Sequence, residues 1–462
     1  MNSAILASSK LKLPSGSPAR SLSPNSFILY GVFGILFFAP LAFGSVEAWA
    51  IFLLQASSAA LFMAWLRKQL AGEEIKLRWN PVFYPMLAFA GVVALQLLFG
   101  LTSYWHDTFA FALLYLAYAL LAFLVNQTLQ RGSQAKTLGL AISVFGTFVA
   151  VFALLQSLSS TTKLYWLRAP RLGGWIYGPY VNHNHYAGLM ELLVPIPLVM
   201  CQTRFVQGWL RNAAIVSAAI MTGTIFLSGS RGGMLAFVAE MALLGAVFLR
   251  AWRTPRATAG LGAFLAIVIG LLVWIGGGEL TKRLQSIHAE TKTELAGGTR
   301  TSLYKDSLRM AAAKPVLGWG FGNFPVAYPQ FRSFYTDFFV NAAHNDYLQL
   351  LTETGAAGFL VMLWFIWVVY RNALRKLANW TEDINGSVAL AALMGVTGIL
   401  VHSFLDFNLQ VPANAAWFYV LATLAASTIP LESRQRVRRE RSRIPADMLQ
   451  PGTPAANDTA PG

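Results

Sequence analysis

Few residues in this chain can do chemistry, and four short segments hold most of them. His344-Asn345-Asp346-Tyr347 sets an imidazole, an amide, a carboxylate and a phenol in consecutive positions. A histidine accepts a proton near neutral pH, so His344 suits a general base towards a hydroxyl, with Asn345 and Asp346 orienting the ring or a substrate. The same residues also suit a plain helix start, where Asn or Asp caps free N–H groups. Ser228-Gly229-Ser230-Arg231-Gly232-Gly233 places a guanidinium among glycines. That combination fits a phosphate held bidentately with close backbone approach; a snorkelling interfacial arginine is the alternative.

The third segment begins at Thr299 and reads as a helix through Ala313, stopped by Pro315, from which Arg300, Lys305 and Arg309 project. The Gly318-Trp319-Gly320-Phe321-Gly322 run after it reads as a tight turn with aromatic packing. A nucleotide loop would need a preceding strand and a third glycine at the fingerprint spacing. The fourth segment, Asn182-His183-Asn184-His185-Tyr186, offers hydrogen-bonding groups for a sugar, with Glu191 a turn or two beyond. Its histidines at i and i+2 lack a nearby cysteine or third ligand, so no metal is expected.

These segments must be positioned by an unusually apolar chain. Of 462 residues, 56% are apolar or aromatic and 12% charged, against about 25% charged in soluble domains. That excludes a typical cytosolic enzyme and a disordered chain. One cysteine, Cys201, excludes a disulfide framework and a Cys-based metal site. Apolar runs near 27–45, 47–66, 82–101, 108–128, 137–158, 186–203, 211–228, 233–250, 258–276, 355–371, 386–404 and 413–430 predict about twelve transmembrane helices. The fold expected is an all-α polytopic membrane protein. Residues 1–26 form a disordered cytoplasmic N-terminus, 27–276 the first nine spans, 277–354 one large periplasmic loop, 355–430 three more spans, and 431–462 a basic cytoplasmic tail.

The net charge of +15 is a candidate signal for nucleic acid until the charges are sorted by side. With the N-terminus inside, about two-thirds of the Lys and Arg fall in cytoplasmic connections, as orientation demands. No nucleic-acid partner is then expected, while the tail arginines suit anionic membrane lipids. Glu240 and His402 are read as the ionisable groups inside spans away from their ends. A transporter gathers such groups at the midplane, whereas here the polar residues collect on the outer face. That distribution favours a surface site with a lipid-borne substrate.

Three elements together resemble the O-antigen ligase and polymerase family, which includes protein O-oligosaccharyltransferases. They are the Ser228–Gly233 arginine turn, Arg300 with the helix and Pro315-Val316-Leu317-Gly318-Trp319-Gly320 turn, and His344-Asn345 followed at fixed spacing by Gly355 and Gly358. The resemblance covers about 211–371. It implies a GT-C-like, metal-independent glycosyltransferase of the bacterial inner membrane, with both termini cytoplasmic and the active site periplasmic. Such an enzyme moves a glycan from undecaprenyl diphosphate to a hydroxyl on a lipid, glycan or protein, without a cofactor. Carried onto this chain, the resemblance makes His344 the base and gives the donor diphosphate to Arg231 and Arg300. Asn345, Asp346, Tyr347, Arg309, His183, Asn184 and His185 would line the substrate. A polymerase or protein glycosyltransferase of the same family is the near alternative, and a flippase of lipid-linked sugars the distant one.

Overall fold

Long apolar runs in lipid can satisfy their backbone only internally, which leaves the helix as the local solution. The computed structural model describes residues 24–72, 74–159, 163–170, 175–251, 299–335 and 339–430, with scattered positions between 259 and 270. Most of the expected ninth span, the 277–298 part of the loop, residues 1–23 and the 431–462 tail lie outside the described residues, while Pro24–Ser26, expected in the N-terminal tail, open the first helix. The helices are α1 (Pro24–Leu41), α2 (Ala48–Leu70), α3 (Phe83–Leu98), α4 (Trp105–Thr128), α5 (Gly132–Leu158), α6 (His183–Leu193), α7 (Pro195–Met200), α8 (Trp209–Leu227), α9 (Arg231–Ala251), α10 (Thr299–Ala313), α11 (Phe324–Ala327), α12 (Asp346–Leu374), α13 (Ile384–His402) and α14 (Pro412–Ala426). No strand is present among the described residues, only two isolated bridges.

Eight helices among the described residues are long and apolar enough to cross a membrane: α1, α2, α4, α5, α8, α9, α12 and α13. The chain is a multi-pass membrane protein, all-helical among the described residues, where eight of the twelve expected spans are full-length helices. Three expected spans come out short. The helix α3 has 16 residues, α14 has 15, and the run at 186–203 breaks into α6 and α7 at Pro195 and Pro197. Proline removes a backbone donor and clashes with the preceding turn. The break is tolerated because α6 and α7 lie inside the bundle: Tyr186 through Leu193 are all buried. With α13 and α14, which are buried on nearly every face, they make the packed centre.

One boundary moved for a reason that shapes the site. The expected span at 355–371 begins earlier, at Asp346, and runs through a break at Gly355 with φ 61° and ψ −163°. The turn after α10 is docked into that break. Trp319 N–H donates to Thr352 O (3.0 Å) and Gly320 N–H to Glu353 O (2.9 Å), while Ala356 and Ala357 N–H donate to Pro315 O (2.8 Å) and Val316 O (3.1 Å). The Glu353 carboxylate accepts from Gly322 N–H (2.9 Å) and Phe324 N–H (3.3 Å). Gln96 of α3 donates to Leu317 O and Glu353 O and accepts from Phe321 N–H. The glycine-rich turn does pack its aromatic residues, and its main chain also closes the gap in α12.

A Cβ at Gly355 would overlap the Val316 carbonyl, at a backbone conformation L side chains rarely adopt. The conformation alone costs about 1–3 kcal/mol for a non-glycine residue. Gly355→Ala is therefore expected to lower the thermal midpoint of the purified protein and speed proteolysis within 315–335. Unchanged values for both would show that the break is not required.

Candidate functional site

The site forms where α6, α9, α10, α12 and α14 begin and α13 ends. His344 stands just before the α12 cap at φ +50°, a left-handed conformation uncommon outside glycine. Its side chain is 34% exposed and its Nδ1 lies 3.4 Å from Asp406 Oδ1, an ion-pair distance to an almost fully buried carboxylate. Asp406 sits in the turn after α13. Its Oδ2 accepts from Asn184 Nδ2 (2.6 Å) and its Oδ1 from Phe407 N–H (2.9 Å). The Phe407 ring meets the imidazoles of His344 and His185 edge-on, at 4.8 and 4.7 Å between centroids. Burial alone would raise the Asp406 pKa. The His344 imidazole beside it and the charges of His185 and His402 outweigh it and hold the carboxyl well below its usual range.

Asn345, Asp346 and Tyr347 fasten this turn to α12. Asn345 caps the helix by accepting from Leu348 N–H (3.0 Å) and donates to Phe404 O (3.1 Å). Asp346 accepts from Ser403 Oγ (2.8 Å) and Leu409 N–H (3.1 Å), while Tyr347 donates to Leu400 O (2.7 Å). The helix-start role and a place at the site therefore coexist in these residues. An apolar cavity of about 120 Å³ opens beside them, walled by Met86, Phe89, Tyr115 and Phe365 and ending at Asp346, Ser403 and Gln410.

A second wall carries Arg231. Ser230 Oγ accepts from Gly233 N–H (3.1 Å) and so caps α9, whose first residue is Arg231. The free N–H groups and positive dipole end of a helix start favour an anion there. Gly229 packs on Trp175, and that indole lies against the His183 ring, tilted by 36°, with centroids 4.4 Å apart. Gly232 abuts the ring of His402.

The third wall is α10. Tyr304 donates to His344 O (3.1 Å). Burial pushes its phenol pKa up, against the charge of Arg300 one turn earlier. Arg309 is not brought to this group: it is paired with Asp306 and reaches Phe331 O at 3.5 Å. Asp306 also accepts from Ser333 N–H and Oγ. Burial opposes ionisation of Asp306, but the Ser333 and Arg309 bonds together leave its pKa lowered.

Of the residues expected at the site, His344, Asn345, Asp346, Tyr347, His183, Asn184 and His185 gather around the 403–410 turn, with Arg231 and Arg300 on the flanking helix starts. Asp406, Tyr304 and Phe407 were not anticipated. The available signal for Asp406 was an acidic residue directly after a span ending in His402. Among the described residues no cluster of His, Cys, Asp and Glu could hold a metal ion.

The described residues thus form a polytopic helical protein in which a His344–Asp406 pair lies beside the turn after α13. Residues 216–363 match the family model described as O-antigen ligase. The match includes Arg231, Arg300, His344 and Gly355, and ends before Asp406. No curated protein matches the chain.

Proposed function

We propose that this protein transfers a glycan from undecaprenyl diphosphate to an acceptor hydroxyl, in the manner of a ligase, on the periplasmic face of the bacterial inner membrane. The observation that carries the reading is the His344–Asp406 pair, set between the helix starts bearing Arg231 and Arg300. With its Nδ1 turned to Asp406, the imidazole presents Nε2 to a substrate, and the carboxylate stabilises the imidazolium that forms. The acceptor oxygen attacks the anomeric carbon as His344 Nε2 takes its proton. The bond from that carbon to the diphosphate breaks, and the electron pair leaves with the diphosphate. Arg231 and Arg300 bind the charge that develops there, an interaction stronger in the transition state than before it. The apolar cavity ending at Asp346 and Gln410 suits a lipid-borne substrate. Asn184, His183 and His185 would line the sugar, whereas Arg309 serves the 306–333 contact. No metal or cofactor enters any step.

The test is transfer by purified protein in a bilayer disc, given undecaprenyl-diphosphate-linked oligosaccharide and candidate lipid, glycan and protein acceptors. Arg231→Ala and Arg300→Ala are each expected to lower the rate by about 10²–10³-fold, the scale for removing one charge-stabilising donor. Transfer that survives both substitutions would overturn the reading. Lipid-linked sugar crossing the bilayer, with loss in Glu240→Gln and none in His344→Ala, would instead establish the transporter alternative. Reporter fusions within 299–335 and after 430 test the proposed orientation.

A further inference from the structure

Behind the site lies a buried ion pair that the proposed chemistry does not use. His402 Nδ1 is 2.8 Å from Glu191 Oε1, with side-chain exposures of 1% and 0%. Burying both groups is costly unless their geometry serves something. Each partner touches a different part of the machinery. Gly232, the residue after Arg231, abuts the His402 ring, and a Cβ on Gly233 would lie 3.1 Å from Glu191 Oε1. At its other end His402 begins the turn that carries Asp406: its carbonyl accepts from Leu405 N–H (2.8 Å) and Asp406 N–H (3.1 Å). Glu191 also belongs to α6, the helix that supplies Asn184 to Asp406. Two glycines thus let α9 close on the pair, and any side chain at position 232 would push the arginine turn away from α13.

We infer that Glu191 and His402 are a positioning pair, which fixes the distance between the Arg231 turn and the Asp406 turn and so the alignment of diphosphate and base. This rests on the proposed transfer reaction. The pair contacts no substrate itself. Other charged groups facing it are Glu240 from α9, whose carboxylate abuts Gly398 of α13, and Asp346 and Asp406 at the site. The hydrogen bond between Glu191 and His402 is what carries the geometry, so an uncharged acceptor of the same length should suffice.

The full chain in bilayer discs is assayed for kcat and donor KM, with folding followed through Cys201, a buried free thiol that reacts with a maleimide dye only on unfolding. Glu191→Leu is expected to lower kcat by about 10–100-fold, the scale for misplacing reacting groups by an ångström, and to raise donor KM. Glu191→Gln restores both to within about threefold, and His402→Leu added to Glu191→Leu costs less than about twofold more, as coupled residues do. If Glu191→Leu fails to fold, Glu191→Asp, one methylene short, carries the same expectation. Unchanged kcat and KM per folded molecule, with only earlier thiol exposure, would overturn the positioning role while leaving the transfer reaction standing. Loss of activity in Glu191→Gln equal to that in Glu191→Leu would overturn it too. Absence of transfer by the unmodified protein would instead refute the reaction itself.

Discussion

His344→Ala is expected to lower glycan transfer by about 10²–10⁴-fold, the contribution of a positioned general base, with donor KM little changed. The split follows from the geometry. The groups proposed to bind diphosphate are on α9 and α10, whereas His344 lies on the approach to α12 and meets them through Tyr304 and the Asp406 turn. His344→Gln keeps a polar side chain of similar reach but cannot take up a proton, so it should fall as far as alanine. A glutamine variant with near-normal kcat would show that the ring serves only to hold the turn.

Asp406→Asn should cost about 10²-fold in kcat, through loss of both ring orientation and the charge opposite the imidazolium. The carboxyl is held well below its ordinary range, so it stays an anion through neutral and mildly acidic pH. A depressed carboxylate pKa adds stability above the unfolded-state value, and that contribution disappears only as pH falls through the folded-state value. An acid limb between pH 5 and 8 in the kcat profile therefore cannot be Asp406 titrating. Combining Asp406→Asn with His344→Ala should cost no more than His344→Ala alone, since the two act as a unit. Additive losses would separate them.

Much of this arrangement was legible because ionisable residues are scarce here, so each stood out against an apolar background. Arg231 among glycines and His344 beside Asn345 were visible for that reason. Asp406 was not, because its meaning depends on α13 bringing the 403–410 turn back beside a histidine distant in sequence. Arg300 and Arg309 project from one predicted helix, and the resemblance assigns Arg309 to the substrate; that it is instead held by Asp306, under the 331–333 turn, could not be read from the spacing. Hydropathy averaging hid the break at Pro195 and Pro197, since a window sees composition and not the missing donors. The start of α12 was also set too late. Its first turns are polar, and they are helical because Asn345 caps them and the glycine turn fills the gap below.

That gap has a consequence for access. The turn at 315–320 bonds to carbonyls above Gly355 and to amides below it, and so acts as a splint across both pieces of α12. Lifting residues 299–335 away as a flap would strip those four main-chain bonds to α12, and that from Ser103 N–H to Trp319 O, and expose groups that cost several kcal/mol each without partners in an apolar setting. The roof of the site is thus fastened before any substrate arrives. If the proposed donor is the substrate, its lipid tail would then have to reach the site from the side, between helices.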